Sequence, residues 1–324
     1  MAKYTSIGGQ ALIEGIMMKS PEKTALAVRT PDRSIDITYL NGKSIREKHK
    51  ILKLPILRGI AGFVESMIQG YKAMMLSADK SGFTDLEEEE KEKTESNKKK
   101  ESALMSAIMV IATVLGVALA VVLFMLLPRL AVQGLRTLFK AEFSPVVRSS
   151  LEQLLKLTIF VAYVWAVSFM KDIKRVFMYH GAEHKCINCI EHGMELTVEN
   201  VRKSSRQHKR CGTSFLLFVM IVSIIFFAFI RVDSPVLRLV LRLALIPVIA
   251  GVSYELIRLA GRSDNGLVNL ISKPGLMLQG LTTREPDDAM IEVGIASVEA
   301  IFDWRAYLAE EFAWTDTENK KGQV

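Results

Sequence analysis

From Ser102 to Pro128 the chain runs for 27 consecutive residues without a charged side chain. At ~1.5 Å per helical residue, such a segment is longer than the ~30 Å hydrocarbon core of a bilayer. The expected fold is therefore that of a mainly α membrane protein rather than of a wholly soluble enzyme. Three further spans are expected, at 151–170, 213–230 and 236–260. The last is interrupted by Arg238, Arg242, Glu255 and Arg258 and contains Pro247. Arginines near helix ends can reach out to the interface, and neighbouring helices re-satisfy the backbone around a proline. About four transmembrane helices then make up a membrane domain at 102–262. With 3 cysteines in 324 residues, a secreted disulfide scaffold is excluded. The start, MAKYTSIGG, lacks the apolar core of a cleaved signal peptide.

The distribution of Lys and Arg orients the spans. Lys98, Lys99 and Lys100 border the first, and the 171–212 connection carries nine basic residues against four in 129–150 and one in 231–235. Both termini and 171–212 are expected on the cytoplasmic side. The net charge of +7 is thus accounted for by topology. The basic residues hug membrane borders rather than forming an aromatic-lined basic face, so no nucleic-acid partner is expected.

Outside the membrane, residues 1–84 form a cytoplasmic N-terminal region with a β-hairpin and an amphipathic helix. In the hairpin, at 24–40, Pro31-Asp32-Arg33 turns the chain, and Ile35, Ile37 and Tyr39 alternate with Asp36 and Thr38. The helix carries Ile56, Ile60, Phe63, Met67, Tyr71 and Met74 on one stripe, able to lie on the membrane surface or to cover the hairpin. Residues 85–101 read as a charged, solvated linker. A cytoplasmic C-terminal region follows at 263–308, with a turn at Pro274-Gly275 and a helix after Pro286 opened by Asp287 and Asp288. Residues 309–324 read as a flexible tail. Segment 129–142 is either a surface helix or a re-entrant one.

The chemistry concentrates in one stretch. Four of the five histidines and all three cysteines fall between 180 and 211. His180-Gly181-Ala182-Glu183-His184 follows the H-x-x-E-H order of inverted zinc-protease motifs. On a helix, His180 and His184 lie one turn apart and can grip one ion, with Glu183 beside them as the base that activates water. A catalytic site needs a third ligand and an open position. Glu191, His208, Cys211 and Glu255 are the candidates. The competing pattern, Cys186-x-x-Cys189 with His208-x-x-Cys211, has near zinc-ribbon spacing and would be a closed structural zinc site. Gly8-Gly9-Gln10 has the tripeptide of a release-factor tip without its domain, and reads as a glycine turn. Glu14 is either a salt-bridge partner or a polar group lining a site.

GGQALIEGIMMKSP at 8–21, YHGAEHKCIN at 179–188, HKRCGTSFLL at 208–217 and KPGLMLQGLTTREPDDAMIEVGIASVE at 273–299 together resemble the YqhQ family of bacterial membrane proteins. Its members are described as predicted metal-dependent enzymes. The resemblance implies a location in the bacterial inner membrane and points to His180, Glu183, His184, His208 and Cys211 as the site. It leaves Cys186 and Cys189 outside the motif. The resulting expectation is a multi-pass protein with a divalent metal, zinc first, at its cytoplasmic face, acting as a hydrolase on a membrane-associated substrate. The alternative is a non-catalytic factor that binds or assembles a membrane-protein partner, with the His/Cys segment as a structural element.

Overall fold

The computed structural model describes residues 3–40, 50–82, 111, 114–140, 142–230, 232, 234–261 and 265–314. The 85–101 linker, most of 102–113 and residues 315–324 lie outside the described residues.

The N-terminal region is a four-stranded antiparallel meander, β1 (Gly8–Leu12), β2 (Gly15–Lys19), β3 (Thr24–Arg29) and β4 (Ile35–Tyr39), in the order β1-β2-β3-β4. The expected hairpin is its second half. The first half corrects the reading of Gly8-Gly9-Gln10 as a turn: it is strand, paired Gly8 to Lys19 through Leu12 to Gly15. The turn comes later, at Glu14, whose φ of 50° is left-handed.

The inner strands are apolar on both faces because both faces are covered. Ile16, Met18, Ala25 and Ala27 belong to one core, and Met17, Leu26 and Val28 to another. The second core is closed by α1 (Leu57–Lys80), which packs Ala73 against the sheet. Of the two placements open to its apolar stripe, most of the stripe does not cover the hairpin. Gly59, Gly62, Glu65, Gly70, Ala73 and Ser77 face the protein, while Phe63, Met67 and Tyr71 face out, Met67 and Tyr71 being 59% and 69% exposed. Small residues win the inner face because the backbones approach closely. A Cβ on Gly59 would lie 2.8 Å from Tyr254, and one on Gly251 would lie 2.4 Å from Ile56.

Among the described residues, three helices are long and apolar enough to cross a membrane: α2 (Val114–Phe139), α3 (Pro145–Val167) and residues 240–260 of α7 (Pro235–Ala260). Between α3 and α7 lies the apolar α6 (Gly212–Ala228), which has 17 residues. Residues 129–139 are not a separate helix: α2 continues through Pro128 and ends at left-handed Lys140. Pro128 cannot donate a backbone hydrogen bond, and the turn before it, Val122–Leu126, opens to π geometry, with the Leu127 N–H reaching back to Val122 O.

The 171–212 stretch, expected as a loop, is mostly helical: α4 (Lys171–Glu191) followed by the short α5 (Val198–Lys203). The turn expected at Pro274-Gly275 is also absent, because α8 (Gly266–Thr282) continues through Pro274. The C-terminal helix starts as expected. In α9 (Asp288–Glu299) the Asp287 side chain accepts from Met290 N at 2.9 Å, and α10 (Trp304–Phe312) follows. Tyr179, Ala182, Cys186 and Ile190 of α4 share one core with the sheet and with Met290, Ile291, Trp304 and Leu308. A polar α/β body is thus assembled from three stretches separated in sequence by the apolar helices.

Candidate metal centre

The middle of α4 lies inside this body, and every residue from Gly181 to Glu191 is buried. Gly181 is required by what crosses it. A Cβ there would fall 2.0 Å from the carbonyl oxygen of Arg284, held in place by Arg284 N donating to Phe177 O at 2.8 Å. The helix accepts the ~1 kcal/mol intrinsic cost of glycine because the 284 backbone occupies the space. Replacing Gly181 by Ala must displace that backbone, and a loss of about 1–3 kcal/mol is expected, read as a lower unfolding temperature of the detergent-purified protein. An unchanged midpoint would show that segment 284 yields freely.

His180 and His184 project from the same face with ring centroids 4.4 Å apart. Both are oriented from behind by backbone carbonyls: His180 Nδ1 lies 2.8 Å from Thr282 O, and His184 Nδ1 lies 2.7 Å from Arg206 O. With Nδ1 donating, Nε2 carries the lone pair, the arrangement in which metal-bound histidines are normally held. His180 Nε2 points at Cys211 Sγ, 3.2 Å away. One ligand atom from each of His180, His184 and Cys211 lies within 4.8 Å of the other two, so the three could hold one metal ion.

Cys211 is the N-cap of α6, and its sulfur accepts from Thr213 N at 3.4 Å. Burial disfavours a thiolate there, but the two histidines outweigh burial and pull the thiol well below its ordinary range. Conversely, burial disfavours a charged His180, but the neighbouring sulfur wins and raises its pKa to about 9. His180 and Cys211 thus favour each other's charged forms against the cost of burial. Two imidazoles and a ready thiolate are a donor set that fits a divalent ion, and three protein ligands leave a position open.

The remaining expected residues separate. Glu183 is buried, its pKa raised by burial against the opposing pull of His184 and His180, and it accepts a hydrogen bond from Gly9 N–H. His208 lies beside the three-residue cluster, its ring centroid 5.7 Å from that of His184, and lines the same cavity without joining the group. Its Nε2 lies 3.2 Å from Glu191 Oε2, and its backbone N donates to Gln279 Oε1 at 2.8 Å. Burial lowers the His208 pKa. Burial would raise that of Glu191, but His208, Arg210 and Thr5 hold it down. Glu255 is farther off, taken by Arg58 at 2.7 Å. Of the four candidates for a third ligand, the geometry brings Cys211 to the two histidines.

The zinc-ribbon arrangement does not form. Cys186 and Cys189 sit in the apolar core, and burial raises both thiols, that of Cys189 to about 12. Glu14 pairs with Arg175 and accepts from Tyr179 Oη at 3.1 Å. Sequence reading missed the role of Gly9, on which a Cβ would lie 3.0 Å from Glu183 and 2.8 Å from Met17 O. It also missed the carbonyls of Arg206 and Thr282. A backbone carbonyl has no residue signature.

His180, Glu183, His184 and Cys211 all open on one cavity of about 830 Å³. It is walled by β1, by Arg58, Ser66 and Gln69 of α1, and by Thr213 and Leu216 of α6.

Over residues 54–304 the chain matches the family described as "Protein of unknown function (DUF1385)". It is 38% identical over 292 residues to "Uncharacterized protein YqhQ" of Bacillus subtilis (strain 168), covering 90% of each chain. No solved structure matches. Those aligned residues span the apolar helices and the histidine helix alike, and the chain belongs to the DUF1385 family.

Proposed function

We propose that the protein is a bacterial inner-membrane hydrolase whose zinc-dependent site faces the cytoplasm. The first support is topological. The N-terminal sheet, α4 and α9 share one core, so they lie on one side of the membrane. An even number of crossings then separates each from the next: α2 and α3 before α4, and α6 and α7 after it. This reading gives four spans, with α6 crossing despite its length of 17 residues. The Lys and Arg excess in 171–212 puts that shared side, and both termini, in the cytoplasm. Cysteines introduced at Glu142 and Val232 are expected to react with a membrane-impermeant thiol reagent added outside intact spheroplasts. Labelling of either only after lysis would overturn the four-span topology.

The observation that carries the chemistry is the pair of carbonyl-oriented histidines facing Cys211 beside Glu183. His180, His184 and Cys211 would hold the ion, and the open position would face the cavity. When bound, such an ion supplies Lewis acidity and lowers the pKa of water from ~15.7 towards ~7. Glu183 acts as the base. It takes a proton from water as the water oxygen bonds to the electrophilic atom of the substrate. It then gives that proton to the leaving atom, which departs with the electrons of the broken bond. Gly9 N–H holds the carboxylate at the cavity wall. Burial raises its proton affinity towards what a base at cytoplasmic pH requires.

The test is metal content. Protein purified without chelators is expected to carry about one zinc per chain by mass spectrometry, as a three-ligand site with one open position requires. The His180→Ala/His184→Ala double variant should carry none. A wild-type protein free of metal after reconstitution with zinc would end the hydrolase reading.

A further inference from the structure

The geometry points to an amphiphile as the occupant of the cavity: we infer that the substrate is a lipid with a phosphate-bearing, anionic headgroup. This rests on reading the cluster as a hydrolytic centre, and it names what that centre acts on.

Two independent features carry it. The first is the charge of the wall. Lys19, Lys53, Arg58 and Arg210 line the cavity, while Glu183 is the one carboxylate that does so among the described residues. Three of the cations are steadied by carboxylates outside the lining. Lys19 donates to Glu65 at 2.8 Å, Arg58 to Glu255 at 2.7 Å, and Arg210 to Glu191. Lys53 has no such partner among the described residues. Each of those three pairs is close to neutral, so what the wall offers a ligand is the charge of Lys53 together with the N–H donors that the paired cations still carry, and both suit an anionic, oxygen-rich headgroup.

The second feature is what the same helices present on their other side. The cavity lies between α1 and the first turns of α6. Beyond Leu216, α6 carries no charge. Outward from the cavity wall, α1 exposes Phe63, Val64, Met67, Ile68 and Tyr71. That face is continuous with the membrane helices, since Phe63 stacks on Phe215 of α6 at 5.4 Å and Gly59 abuts Tyr254 of α7. An apolar helix face that, among the described residues, is mostly exposed and is joined at its edge with spanning helices fits the bilayer border. A lipid there can keep its chains against α1 and α6 and place its headgroup between the cations and the His/Cys cluster. A volume of about 830 Å³ takes a headgroup and glycerol but not the full chains, which must stay in the membrane.

Binding separates this inference from catalysis. The full-length protein in detergent is titrated with short-chain phosphatidylglycerol, short-chain phosphatidylcholine, glycerol phosphate and inorganic phosphate, each with zinc added and with zinc chelated. Saturable binding of phosphatidylglycerol, about tenfold or more tighter than of phosphatidylcholine, is expected. Lys53→Glu should weaken it by about tenfold. Leu216→Trp, a change at a half-exposed wall residue, should abolish it, with metal content unaltered in both variants. Equal affinity for the two lipids, or no response to either variant, would overturn the inference. So would glycerol phosphate or inorganic phosphate binding as tightly as the lipid, which would make the ligand a soluble phosphate compound. Lipid binding in a wild-type protein unable to hold zinc would keep the lipid as the cavity's occupant and overturn its role as a substrate together with the hydrolase.

Discussion

Glu183→Gln is expected to lower the hydrolytic rate by roughly 10²–10⁴-fold while zinc content stays at the wild-type value, because the amide keeps the shape of the acid but cannot take a proton. Gln can still accept the Gly9 N–H, so the local fold should persist. The pairing of the two readouts is what makes the result informative. Loss of rate with metal retained assigns Glu183 to the proton transfer. Loss of both would make it a support for the cluster instead. If cells or purified protein keep full activity with Gln at 183, Glu183 is not the base and the motif serves another end. In that case substitution of outward residues such as Phe63 should be the more damaging change, as a partner-binding factor would require.

Removal of the Glu191 carboxylate is expected to be the most destabilising single change in the polar body, at about 3–5 kcal/mol for Glu191→Ala. Glu191 is almost wholly enclosed and accepts from Thr5 N and Thr5 Oγ1 at 2.8 Å each. It also pairs with Arg210 and approaches His208. It ties the N-terminal segment, the end of α4 and the entry to α6 together, so its loss strands a cation and several donors at once. The Glu191 pKa is depressed in the fold, by its donors and cations outweighing burial. Its stabilisation is therefore fully present above the ordinary carboxylate value of ~4.3 and is lost as pH falls through the lower folded value. Thermal unfolding of detergent-purified protein at pH 7 and at acid pH should show a large difference between wild type and variant at neutrality and a smaller one in acid. Equal midpoints at pH 7 would show that the network contributes nothing net.

The two predictions rest on residues of unequal legibility. Glu183 stood in a motif whose spacing has a helical meaning, and α4 is the helix that meaning requires. Glu191 was visible only as one possible ligand among four. Its actual partners come from positions 5, 208 and 210, and no local pattern pairs residues 186 apart. Cys211 was legible as a ligand type but not as the one chosen, since His208 lies three residues away with equally suitable chemistry. The N-cap of α6 turns the sulfur towards His180, while Glu191 engages the ring nitrogen of His208 and Gln279 its backbone N–H.

Local periodicity and composition were sufficient for the apolar helices, the second hairpin, the helix opened by Asp287 and the H-x-x-E-H pair, because each depends on residues within a few turns of one another. The same reasoning left the apolar stripe of α1 open between the membrane surface and the hairpin, and it misread the first hairpin and the passage of α8 through Pro274. In all three, distant packing outweighs local preference. Glycine-mediated approach of α1 to α7 leaves no room for large side chains inside, and the Phe63 face is left exposed. What the sequence alone determined about this protein is its membrane character and the donor groups of one helix. Only the tertiary structure decided which three donors meet, which carboxylate stands beside them and what surrounds the cavity. Those depend on segments hundreds of residues apart being folded onto a single core, and contact at that range leaves no periodic mark on the chain.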